Sequence, residues 1–106
     1  MKKEVIVTDE TIQIIEYRNK FLSFEQEEHT ISVPVHLIKL VQKAYTDYAG
    51  TQSIAIFLET EDEFYISYDE LDDIDNVFER IVDLKRRTNK FRVELYNVET
   101  AETYDK

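Results

Sequence analysis

Ser53-Ile54-Ala55-Ile56-Phe57-Leu58 is nearly continuous in apolar side chains, and this stretch constrains the chain more than any other. So short an apolar run fits a strand in the middle of a sheet, so the remaining elements must be built around it. Thr60-Glu61-Asp62-Glu63 then turns the chain, and Phe64, Ile66 and Tyr68 alternate with Tyr65 and Ser67. Together these two segments predict a hairpin.

The first third reads as a meander of short strands. Val5 and Val7, then Ile12, Ile14 and Ile15, occupy β-branched segments separated by Thr8-Asp9-Glu10. Arg18-Asn19-Lys20 offers a second turn, and Phe21, Leu22 and Phe24 a third strand. Gln26-Glu27-Glu28-His29 is expected as a polar break before the strand Thr30-Ile31-Ser32-Val33.

Two stretches carry helical spacing. Pro34, Leu37, Ile38, Val41, Tyr45 and Tyr48 predict a first helix, with Pro34 suited to its first turn and Gly50 to its end. A competing reading continues the strand through Val33, Val35 and Leu37, but that alternation stops there. Leu71, Ile74, Val77, Phe78, Ile81 and Leu84 predict a second helix, acidic at its start and basic at its end, as the helix dipole favours. Phe91 to Tyr96 alternates as a last, half-exposed strand with an open edge. The expected fold is α+β: one mostly antiparallel sheet, order β-β-β-β-α-β-β-α-β, with two packed helices. A pleckstrin-homology-like roll with a C-terminal helix is the alternative. All 106 residues are read as a single domain, ordered from about residue 4 to 98, with 99–106 fraying.

The charge is concentrated. Residues 59–83 hold eleven acids and one base, Arg80, and this net −10 equals the charge of the whole chain. With 42% hydrophobic residues the chain still has material for a core, so the charge does not imply disorder. One reading takes these acids as solvated turns and helix-dipole partners. The other takes Glu59, Glu61, Asp62, Glu63, Tyr65, Asp69, Glu70, Asp72, Asp73 and Asp75 as a docking surface for a basic protein. Tyr65 belongs to that set because it faces opposite to Phe64 and Ile66, beside the acids.

Most other chemistry lacks its residues. There is no Cys for a thiolate site or nucleophile, and a single Gly cannot make a phosphate-binding loop. A calcium loop starting at Asp73 places Val77 and Phe78 where a ligand and a glycine belong, and one starting at Asp69 fails at Leu71. His29 and His36 are the only histidines, and neither sits in a nucleophile–base or zinc spacing. No metal, cofactor or catalytic residue is therefore expected. Lys85, Arg86, Arg87, Lys90 and Arg92 adjoin the acidic field, so direct nucleic-acid binding is not expected either. No apolar run approaches the roughly 20 residues of a membrane-spanning helix. Met-Lys-Lys-Glu-Val has no long apolar stretch behind it, so a cytoplasmic protein is expected.

In size and charge the chain resembles bacterial immunity proteins that neutralise basic nucleases, and phage proteins that mimic nucleic acid. That resemblance implies a noncatalytic inhibitor that occludes a basic site on a partner such as a nuclease or another nucleic-acid-binding protein. Two alternatives remain open. One is a subunit of a homo-oligomer or larger assembly, pairing through the edge of strand 91–96. The other is a small carboxylate-dependent enzyme.

Overall fold

The computed structural model describes residues 2–19 and 26–106. Eight strands and one α-helix follow the chain: β1 (Lys3–Val7), β2 (Thr11–Asn19), β3 (Gln26–Pro34), β4 (Ile38–Thr46), β5 (Gly50–Leu58), β6 (Glu63–Ser67), α1 (Ile74–Thr88), β7 (Arg92–Asn97) and β8 (Glu102–Asp105). They form two sheets. One is antiparallel, in the order β1-β2-β3; the other has five strands, in the order β6-β5-β4-β7-β8. Within the second sheet only β4 and β7 are parallel neighbours; α1 carries the chain from β6 at one edge across to β7 beside β4.

The expected single sheet with two helices is therefore wrong in both respects. Residues 34–49 are not a helix: a 3-10 turn over Val35–Leu37 leads into β4. The cause is a β-bulge. Ile38 pairs with Leu58 and Leu40 with Phe57, which leaves Lys39 as the extra residue. This insertion lets Ile38 and Val41 share the core although they are three apart, a spacing that mimics a helix. A second irregularity opposite Ala44 and Tyr45 makes Gln52 the extra residue of β5. Gly50 does adopt a left-handed φ of 78°, but in the β4–β5 turn.

Three further expectations change. Gln26 to His29 is part of β3 rather than a break, so the first third contributes three strands. The proposed strand at Phe21, Leu22 and Phe24 lies outside the described residues. Strand 91–96 has no open edge, because β7 pairs with β4 on one side and β8 on the other. β8 itself falls in the tail expected to fray, and the Lys106 N–H donates to the Val93 carbonyl. With two strands following α1, the roll with a C-terminal helix is overturned as well.

α1 forms where its stripe predicts. Asp73 caps it by accepting from the Asn76 N–H, Lys85, Arg86 and Arg87 occupy its last turn, and Asn89 ends it in a left-handed conformation. Its buried residues Ile74, Val77, Phe78, Ile81, Val82 and Leu84 meet β5 and β7 on one side and β1 on the other. One cluster therefore unites Val5, Ile12, Ile14 and Val33 of the small sheet with Val41, Ile54, Ile56, Ile66 and Val93 of the large one. The opposite face of the large sheet carries Leu40, Phe57 and Tyr65 outside that cluster. No helix among the described residues is long and apolar enough to cross a membrane.

Truncating Ile81, which is fully buried at this junction, should cost about 2–5 kcal/mol in urea unfolding. Ile6→Ala, on the exposed side of β1, should cost far less.

Candidate functional site

The acids of residues 59–75 fall into two groups at opposite ends of β6. Glu59, Glu61 and Asp62 lie in the β5–β6 turn, and Glu63 opens β6. Asp69 and Glu70 lie in a 3-10 turn over Tyr68–Glu70, followed by Asp72, the cap Asp73, and Asp75 in the first turn of α1. The five residues of β6 separate the groups by about 13 Å along the strand. The structure does not gather the ten residues into one patch.

The second group is engaged within the fold. Glu70 binds Lys3 at 2.7 Å and accepts from the Ser67 N–H at 2.9 Å. Asp72 meets Lys2 at 3.2 Å, and Asp75 accepts from the Thr51 hydroxyl at 2.5 Å. Burial pushes the Glu70 carboxyl up, but the Lys3 hydrogen bond, the Ser67 N–H and the Lys3 charge together hold it below the usual glutamate value. The two lysine pairs tie the N-terminal end of β1 to the segment that leads into α1, and the Thr51 bond ties α1 to β5. Lys2 and Lys3 lie nearly seventy residues upstream, so no local sequence signal links them to these acids.

The first group faces water. Asp62 accepts from the Thr60 hydroxyl at 2.8 Å, and Glu63 accepts from the Tyr65 hydroxyl at 2.5 Å. Lys39, displaced by the bulge, is 3.9 Å from Glu61 and is the one cation paired with this turn among the described residues. The hydrogen bond to Glu63 raises the Tyr65 pKa above the usual tyrosine value. Tyr65 is 56% exposed, and its ring meets Phe57 edge to face at 6.3 Å between centroids. Phe57 was absent from the sequence-based set because an unbroken apolar run does not show which face is covered.

Glu61 carries a backbone feature of its own, a φ of 71°. Its N–H donates to Leu58 and the Leu58 N–H donates to Asp62, closing the turn around a left-handed residue. Gly or Asn fits that conformation with less strain, by about 1 kcal/mol.

A depression of about 470 Å³ lies between β1 and the first half of α1. Lys2, Glu4, Tyr17, Asp72, Asp73 and Arg80 are among its lining residues, and the Lys2–Asp72 pair joins its two sides. Tyr17 donates to Glu4 at 3.0 Å, which raises the tyrosine pKa. His29 is on β3 beside Glu27, and His36 is in the turn before β4. Among the described residues no three His, Asp or Glu side chains converge as a metal site would require. Of the basic residues at and beyond the end of α1, Arg87 pairs with Asp9 at 2.9 Å, Arg86 with Asp83, and Arg92 of β7 with Glu94 and Asp105.

Two substitutions separate structural acids from the rest. Asp73→Ala should cost about 1 kcal/mol through the lost cap. Glu70→Gln should cost about 1–2 kcal/mol near neutral pH. The Glu70 contribution is complete above the usual glutamate value and is lost as pH falls through the lower folded value. Urea stability curves for the two proteins should therefore converge in acid. No family model, no curated protein and no solved structure matches this chain.

Proposed function

We propose that this is a noncatalytic binding protein of the cytoplasm that occludes a basic site on a partner protein. In this reading it works as immunity proteins do on basic nucleases, or as protein mimics of nucleic acid do. The carrying observation is the imbalance at the β5–β6 turn: among the described residues, Glu59, Glu61, Asp62 and Glu63 have Lys39 alone as a paired cation. The docking surface is accordingly narrower than the full acidic segment. It comprises those four acids, Tyr65 and the edge of Phe57, with Asp69 at the far end of the strand.

Tyr65 and Phe57 supply aromatic area beside carboxylates, a pairing suited to Arg and Lys side chains. Glu61 holds its carboxylate in this turn on a left-handed backbone, a conformation that Ala101 also adopts, so the reading rests on the charge and the aromatic area.

The test is a titration of the protein with a fluorescent Arg- and Lys-rich peptide. Saturable binding should weaken steeply with added salt. Glu61→Asn with Glu63→Gln should weaken it at least tenfold, while Asp73→Ala should not. Glu61→Asn alone should leave stability unchanged or raise it by up to about 1 kcal/mol. Absence of saturable binding, or affinity indifferent to the double substitution, would overturn the reading.

A further inference from the structure

Four strand edges bound the two sheets, and three are guarded. β1 contacts α1, and the Lys2 and Lys3 ion pairs tie its N-terminal end to the segment that leads into that helix. β6 is five residues long and flanked by acids at both ends. β8 is four residues long and carries Glu102 and Asp105. β3 differs. It spans nine residues, pairs with β2 in an unbroken register without a bulge, and contains no Lys; its charges, Glu27 and Glu28, and its Pro34 lie toward its two ends and leave the middle of the edge open. Residues 27–32 are all exposed, including Ile31 at 43%. Proteins commonly blunt such an edge with Lys, a bulge or a cover.

The hydrogen-bond phase identifies the free groups. The Thr8 N–H donates to the Thr11 carbonyl and the Tyr17 N–H to the Lys2 carbonyl. With the β1–β2 register, this turns Thr11, Gln13, Ile15 and Tyr17 toward β1, and Ile12, Ile14, Glu16 and Arg18 toward β3. Their partners on β3 are Val33, Ile31, His29 and Glu27. The backbone N–H and C=O groups of Glu28, Thr30 and Ser32 consequently point away from the sheet, as does the carbonyl of Pro34.

We infer that β3 pairs antiparallel with β3 of a second copy of this chain, about a two-fold axis at Thr30. Thr30 then faces the partner's Thr30, and Glu28 faces the partner's Ser32 in both directions. Every outward N–H and C=O of these three pairs is satisfied. Thr–Thr is a favourable cross-strand pair, and a Ser hydroxyl is a natural donor to a Glu carboxylate. Ile31 is covered by the partner's His29. The neighbouring registers are poorer. Moving the axis to His29 stacks the two imidazoles and draws Glu27 and Glu28 to the centre. Moving it to Ile31 sets Glu28 against the partner's Pro34, which has no N–H to return.

Each copy carries net −10, so the pairing works against mutual repulsion, and salt should strengthen it. Binding of a cationic partner has the opposite salt dependence, so the two associations are distinguishable. Sedimentation of the full chain at raised salt should approach twice 12.7 kDa with increasing concentration. Thr30→Pro removes an N–H that β2 does not use and should return the mass to 12.7 kDa with an unchanged circular dichroism spectrum. Should the proline perturb the strand, Thr30→Lys, which puts like charges across the axis, should give the same dissociation. Hydrogen exchange of the concentrated wild-type chain should show the Glu28, Thr30 and Ser32 amides protected, and that protection should be lost on dilution. A mass of 12.7 kDa up to about 1 mM would overturn the inference. So would a dimer in which those three amides exchange freely.

Discussion

Both sheets depend on the apolar face of α1. The small sheet has one apolar face that must be covered, and Val5, Ile12, Ile14 and Val33 would have less to bury against without that helix. The larger sheet needs the same side chains over Ile54, Ile56 and Val93. Between β3 and β4 the chain has only the short turn at Val35–Leu37, anchored by the Val35 N–H on the Glu10 carbonyl. Phe78 and Ile81 therefore do more than fill space: they set how the two sheets meet. Lys43 approaches the Phe78 ring with its ammonium 4.8 Å from the centroid, so even the cation on this inner face packs against the helix.

How far the fold could be read from the sequence follows from which interactions are local. α1 was legible because its stripe, its acidic start and its basic end all lie within fifteen residues. The β5–β6 hairpin was legible for the same reason. β4 was not, since one bulge residue, Lys39, shifts the parity of every side chain after it. β3 was obscured by its own exposure: residues 27–32 are exposed on both faces, so Gln26 to His29 has the composition of a loop. β8 has no buried residue, and its backbone pairing with β7 leaves no hydrophobic trace.

The acidic segment shows the same limit in electrostatic form. Summed along the sequence, residues 59–83 look uniformly uncompensated. In space, Lys2 and Lys3 return to neutralise Asp72 and Glu70, while Asp73 and Asp75 act as hydrogen-bond acceptors. Among the described residues, Glu59, Asp62 and Glu63 around the β5–β6 turn and Asp69, Asp73, Asp75 and Glu79 beyond β6 make no ion pair, so the surplus is divided between the two ends of that strand. A local excess of charge is thus a statement about sequence, and it becomes one about surface only after distant counter-ions are placed. That is why Glu70 and Glu63, seven residues apart, carry different meanings. The first is a partly buried tie between elements, and the second is a solvent-facing carboxylate held by a tyrosine.

The two proposed contacts use different sheets, and this has a consequence for how they combine. Pairing through β3 extends the small sheet, whereas the acidic turn belongs to the large one. Nothing in the pairing consumes Glu59, Glu61, Asp62, Glu63 or Tyr65, so a paired molecule presents two acidic turns related by a two-fold axis. Against a partner with a single basic site, the second turn adds nothing. Against one that is itself two-fold, or that repeats its basic site at a matching distance, the second contact becomes intramolecular, and avidity can rise by about 10²–10⁴ without any new interaction. Salt acts on the two steps with opposite sign: it favours joining two anionic copies and weakens the grip on a cation. The combined association should therefore be strongest at an intermediate ionic strength. A surface acting as a lone monomer would instead lose affinity continuously as salt rises.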